Sequence, residues 1–406
     1  MQGKPPTIHV ALPAMNERDY IGRTLECLQK QSFGDFHTWI CVNQPESFHE
    51  NPEKQHICQN NAQTLSLLKN YKLPNLHIID KSSKGKGWEE GKLGVGMARK
   101  TIMDTIASVA SDQDIILSLD ADTLFGENYL ASVCRIFLQN PDAMGLSNPY
   151  YHPLGDDNKL NRAMLRYEIY MRYYALNMRF TGTPYYFTPL GSAMAAPVDA
   201  YKKINGLTAK KSGEDFYFLQ KLAKAGQVLM YNTEIIYPGN RLSNRVFFGT
   251  GPAMIKGLSG QWSAYPLFNP EFFKEIKKTI SIFPDLFHGP HPTPMDNFLS
   301  NHFRCPDIFE PLRKNHKNPD RFVKACHEKV DGLRILQYLK VQQEQNPGCD
   351  EENLATFLTE NFPDNNLTIE LKELNFSASP IDILNKIRKF LFETELKFQK
   401  EDAKQI

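Results

Sequence analysis

The chain has 406 residues, with 47 Lys plus Arg against 46 Asp plus Glu and a formal charge of +1. No global field therefore draws it to nucleic acid or to an acidic membrane, and any phosphate recognition has to be local. The length exceeds one average domain and 41% of the residues are hydrophobic, enough for a real core with an appended region.

Ile8 to Leu12 is a compact apolar run ending at Pro13. Asn16 then precedes Tyr20, Ile21, Leu25 and Leu28 at helical spacing, so a strand, a turn and an amphipathic helix are expected. Residues 38–42 (TWICV) form the next strand, a helix follows around 57–68, and 76–79 is a third strand. The Gly-rich SKGKGWEEGKLGVGMARK leads into a helix through about Val109; 115–119 is a fourth strand and 128–138 another helix. Strands that are apolar on both faces and alternate with helices predict a doubly wound, mostly parallel α/β sheet of Rossmann-like type, with ligands beyond the strands' carboxyl ends. A long helix rich in Tyr and Arg (159–178) comes next, read as core plus solvated face or as the lining of a groove. TPLGSAMAAP then reads as a strand and GEDFYFLQKLAKAG as a helix opened by two acids. Past roughly Pro252 prolines crowd, and the periodicity of 307–345 and 380–400 is helical. The expected organisation is one α/β domain over 1–252 and a mainly helical region over 253–406, where an acceptor or partner docks.

DIILSLDADTLF ends its apolar run with two carboxylates, Asp120 and Asp122. Oxygen ligands offered from a rigid strand end suit a hard cation, Mg²⁺ or Mn²⁺, that keeps waters and shares substrate phosphates. A turn that caps the following helix is the structural alternative. A haloacid-dehalogenase-type phosphatase, with an aspartate nucleophile, is the enzymatic one. That family places Thr or Val two residues after the second aspartate, where this chain has Leu124.

Four segments, VALPAMNERDYIGRTLECLQKQ, LSLDADTLFGENYL, LGSAMAA and GEDFYFLQKLAKAG, resemble the successive signatures of family-2 glycosyltransferases of the GT-A fold, over about residues 7–250. The resemblance implies transfer of a sugar from a nucleoside diphosphate to an acceptor hydroxyl, with inversion and a divalent metal. It places Pro13, Asn16 and Glu17 in the loop that holds the nucleoside. Asp120 and Asp122 match the DxD that contacts ribose and metal, Asp122 being the main ligand. Glu214 and Asp215 match the acidic pair on the acceptor side, with Asp215 as general base. The chemistry agrees, because an acceptor hydroxyl must lose its proton to a carboxylate as the new bond forms. A helix's first turn would stabilise the ionised Asp215.

The chain also departs from the family pattern. Paired aspartates commonly follow the second strand; here Asn43 stands there, offering both donor and acceptor, which leaves uridine and guanosine equally open. Lys84 and Lys86 lie among glycines, and Lys86 is a candidate for phosphate or base contact. GVGMAR lacks a strand immediately before it and is no dinucleotide fingerprint. The processive members' Gln-Arg-Trp motif is replaced by NRLSNRVFFGTGPAM, so single additions are expected. Arg241 and Arg245 are both placed to clamp a diphosphate, Arg245 being the residue chosen. His288, His291 and His302 read as a chance cluster near prolines. A retaining GT-A enzyme of the glycosyl-phosphoglycerate synthase kind, or a non-catalytic nucleotide-sugar-binding domain, stands as the alternative.

The expected partners are a nucleoside diphosphate sugar and a hydroxyl acceptor that is a glycan, a lipid-linked sugar or a small molecule. Nucleic acid is not expected. Seven scattered cysteines without a CxxC pair argue for reduced thiols. MQGKPPTIHVALPAM reads as a strand rather than a signal peptide, and no run of about 18 apolar residues spans a membrane. A cytoplasmic protein is expected, with peripheral membrane contact left open.

Overall fold

The computed structural model describes residues 4–89, 94–241, 250–364, 366–367 and 371–404. The chain divides into two compact units: residues 1–160, 189–259 and 396–406 form the first, and 161–188 with 260–395 the second.

In the first unit β1 (Ile8–Ala14) is buried at every position, as expected of a strand that is apolar on both faces. It pairs in parallel with β2 (Phe36–Asn43) on one side and β4 (Ile115–Ser118) on the other. β3 (Leu76–Lys81) pairs in parallel with β2, is half-buried throughout and forms one edge. Beyond β4 lie β7 (Met194–Pro197), β6 (Gly145–Ser147) and β8 (Val228–Leu229), completing the order β3-β2-β1-β4-β7-β6-β8. β7 runs antiparallel to both neighbours, while β6 and β8 are parallel. The chain winds one way from β1 to β3 and the other way from β4. The crevice outside the carboxyl ends of β1 and β4 is thus the switch point where such sheets take ligands.

A separate two-stranded ribbon joins β5 (Leu124–Phe125) to β9 (Ile236–Tyr237). Helices α1 (Ile21–Gln29), α2 (Gln55–Asn70), α3 (Val95–Val109), α4 (Tyr129–Gln139), α5 (Asn158–Phe180), α6 (Val198–Lys203) and α7 (Glu214–Ala225) alternate with the strands. The stretch TPLGSAMAAP is strand only in its second half, because Gly191–Ala193 is a short 3-10 turn.

The second unit is helical among its described residues. Most of α5 belongs to it, and the Tyr/Arg pattern there forms a charged core. Tyr167 and Tyr173 are buried. The buried Glu168 carboxylate receives Arg172 Nε at 3.1 Å and Arg388 at 3.2 Å, and Arg172 also donates to Glu395 at 2.6 Å. Each buried charge is thereby paired, which is the condition for keeping it out of water. Among the described residues no helix is long and apolar enough to cross a membrane. All seven cysteines are free thiols.

Candidate active site

After β1 the backbone turns sharply. Asn16 adopts a φ of 60°, a left-handed conformation that Asn tolerates better than most residues. Its N–H donates to Asn61 Oδ1 on α2 at 2.8 Å. The turn delivers Glu17, whose carbonyl accepts the N–H groups of Tyr20 and Ile21 at the start of α1. Pro13 sits within β1, opposite Cys41.

After β4, Leu119 extends the pairing to Ala11, and Thr123 N–H closes a turn on the Asp120 carbonyl at 3.2 Å. The buried Thr24 hydroxyl of α1 lies 2.9 and 3.1 Å from the Ala121 and Thr123 carbonyls, fixing this loop beside Glu17. β5 follows directly, and its partner β9 brings residues 239–241 alongside Asp122. A Cβ on Gly239 would stand 2.6 Å from Asp122 Oδ2, so a larger residue there would have to push the Asp122 carboxylate aside. Arg241 Nε then donates to Asp122 Oδ2 at 2.7 Å, and its terminal nitrogen donates to both Glu17 oxygens. The guanidinium lies 4.0 Å from the centroid of the Tyr20 ring. Burial works against its charge, but Asp122 and Glu17 outweigh burial and raise its pKa.

A second guanidinium, Arg99 of α3, is almost fully enclosed. It donates to Asp120 Oδ1 at 2.8 Å, to Glu214 Oε1 at 3.2 Å, to the Gly191 carbonyl at 2.9 Å and to the Ser118 hydroxyl. Gly191 has no side chain because a Cβ there would collide with this guanidinium. Gly96 likewise lets the start of α3 lie against Lys210, just before α7. Arg99 therefore joins the loop after β4 to the amino end of α7.

Glu214 is buried and engaged by Arg99. Asp215, next along α7, keeps part of its surface exposed and accepts the Phe216 N–H at 2.8 Å. Despite that exposure, dense packing around the carboxyl dominates its titration. Desolvation and the neighbouring Glu214 charge push it up to about 7, with Asp120 adding to the rise and the Phe216 N–H and Arg99 opposing it. The helix-terminus stabilisation expected from sequence is thus outweighed by burial and a like charge.

The remaining candidates form the wall near β2 and β3. Asn43 is buried, its amide nitrogen donating to the Ala14 and Cys41 carbonyls and its oxygen accepting from Trp88 Nε1 at 3.2 Å. Both ends of this amide are engaged inside the protein. The Gly-rich loop is fastened by Glu46, which accepts the N–H groups of Gly85 and Gly87 at 2.7 Å each. Lys86 is exposed and pairs with Asp80 at 3.0 Å. Burial disfavours the Asp80 charge, yet the Ser83 and Ser82 N–H groups and Lys86 hold its carboxyl below the usual range. Arg245 lies outside the described residues.

Sequence reasoning missed Arg99. The available signal was its place three, four and seven residues before Ile102, Met103 and Ile106, on the buried stripe of α3.

No group of three His, Cys, Asp or Glu side chains converges as a metal cage among the described residues. Asp120 and Asp122 fit instead the type of Mg²⁺ site that uses one or two carboxylates and completes its shell with water and phosphate. One Asp122 oxygen is already held by Arg241.

An open α/β sheet with carboxylates gathered at its switch point belongs to the class of sheet proteins that take a ligand there. Residues 5–234 match the family described as "Glycosyltransferase like family 2", and the chain belongs to that family of glycosyltransferases. No curated protein sequence matches the chain. Among solved structures it is similar to S. aureus TarS 1-349 in complex with UDP-GlcNAc, at 12% identity over 84% of this chain and 92% of that one, with a TM-score of 0.43. It is also similar to glucosyl-3-phosphoglycerate synthase from Mycobacterium tuberculosis in complex with UDP, at 13% identity over 63% and 80%, with a TM-score of 0.36.

Proposed function

We propose that this enzyme moves a sugar from a nucleoside diphosphate sugar to an acceptor hydroxyl, one unit at a time and with inversion at the anomeric carbon. Asp120 and Asp122 would hold Mg²⁺ or Mn²⁺, which when bound neutralises the charge developing on the diphosphate leaving group. Asp215 takes the proton of the attacking hydroxyl as the new bond forms.

The observation that carries this reading is the Arg99 bridge from Asp120 to Glu214. It spends Glu214 on structure and sets Asp215 beside the donor-side carboxylates with part of its surface exposed. A pKa raised toward neutrality also suits a general base better than that of an ordinary carboxylate.

The test is a thermal-shift panel of UDP- and GDP-linked sugars, each with Mn²⁺ and with EDTA. Ligand at about 100 times its Kd stabilises the fold by about 2.7 kcal/mol. One nucleotide class should raise the Tm with Mn²⁺ and do so less with EDTA, and Asp122→Asn should lose the metal-dependent part. A panel in which no nucleotide sugar shifts the Tm under either condition contradicts the reading.

A further inference from the structure

We propose that Arg241 is a resident counter-ion of the cation site: it pairs with both Asp122 and Glu17 before the donor binds and gives up Asp122 when a divalent cation enters together with a diphosphate. The proposal rests on the metal-dependent donor site proposed above and adds a cation exchange to it.

Three features place the guanidinium there by construction. The β5–β9 ribbon and the side-chain-free Gly239 carry the backbone past Asp122 Oδ2. The Arg241 fork then spans two carboxylates from different loops, one after β1 and one after β4. Its face rests on Tyr20, which is itself 41% exposed. Glu17, in contrast, is only 4% exposed, and a buried carboxylate left without a cation is strongly destabilising. Arg241 keeps Glu17 as a partner when it leaves Asp122.

Charge decides when the exchange occurs. A bare divalent cation approaching Asp122 has to displace the guanidinium from the one oxygen it holds and offers it no new partner. A cation that arrives with a diphosphate brings negative oxygens as well, and a guanidinium pairs with phosphate as readily as with carboxylate. Arg241 then has a new partner and Asp122 is released. Metal and nucleotide should therefore bind with strong mutual coupling, which linkage makes reciprocal.

The test measures Mn²⁺ binding to the full chain by EPR, first with Mn²⁺ alone and then with UDP or GDP present. Arg241→Gln should bind Mn²⁺ alone about tenfold more tightly than wild type, the scale of one charged hydrogen bond released. Adding Asp122→Asn should cancel that gain. Arg241→Lys, whose ammonium cannot span both carboxylates, should fall between and carries the comparison if Arg241→Gln does not fold. Mn²⁺ should also raise the Tm of Arg241→Gln more than that of wild type, and the nucleotide's enhancement of Mn²⁺ binding should shrink in that variant. Equal Mn²⁺ affinity in wild type and both Arg241 variants, with Asp122→Asn still abolishing binding, overturns the exchange and leaves the cation site standing. Absence of Mn²⁺ binding in every protein, even with nucleotide, removes the cation site and the exchange together.

Discussion

Asp215 sits where its proton is pulled in opposite directions: burial, Glu214 on its own helix and Asp120 after β4 favour the acid, whereas the Phe216 N–H and Arg99 from α3 favour the carboxylate. The raised pKa means that the folded state holds this proton more tightly than the unfolded chain. The resulting stability is full below the unfolded carboxylate's pKa and is lost as pH rises through about 7. Activity runs the other way, since only the ionised group is a base. The kcat/KM profile, which reports the free enzyme, should rise through about pH 7, and Glu214→Gln should move that limb to lower pH by removing the like charge. A flat profile from pH 5 to 8 would deny Asp215 the role. The acids were legible in sequence because carboxylates ending an apolar strand or opening a helix stand out against their surroundings. Arg99 was not, because an arginine on a helix ordinarily reads as solvated. Nor did the four-residue spacing of Arg241 and Arg245 distinguish them; the pairing of β5 with β9 is what brings Arg241 to Asp122.

At the scale of elements, the loops at the switch point approach closely where side chains are missing. Gly239 belongs to the segment after β9, and Gly239→Ala would put a methyl group 2.6 Å from Asp122 Oδ2. Displacing the Asp122 carboxylate from its present place should weaken binding of nucleoside diphosphate with Mn²⁺ roughly tenfold, the scale of one charged hydrogen bond, measured by calorimetry. Gly34→Ala, where an added Cβ meets nothing within 4 Å, is the matched control and should bind as wild type does. Unchanged affinity in Gly239→Ala would show that the present position of the Asp122 carboxylate is not what binds the metal nucleotide. Most strands and helices were visible as apolar runs and helical spacing. TPLGSAMAAP was only half right, because the apolar pattern does not show that the Gly191 carbonyl is needed by Arg99 and Ser118. The direction of β7 was not legible either, since a buried strand reads the same parallel or antiparallel.

At the scale of the whole molecule, the parallel α/β sheet and the helical region after it follow from patterning, but the strand order does not, because it depends on pairings remote in sequence. The Tyr/Arg helix shows the same limit. Its buried ion pairs use Arg388 and Glu395, more than 200 residues away, and no local spacing could have announced them. The central proposal is that Asp215 acts as the base beside a donor site at the switch point. The most direct measurement compares wild type and Asp215→Asn using the nucleotide sugar selected by the panel. It follows donor binding by calorimetry and turnover by release of nucleoside diphosphate, with water as the acceptor. Asp215→Asn should bind the donor as wild type does and lose turnover by about 10²–10⁴-fold, the range of general-base catalysis. Turnover of Asp215→Asn at the wild-type rate would contradict the account.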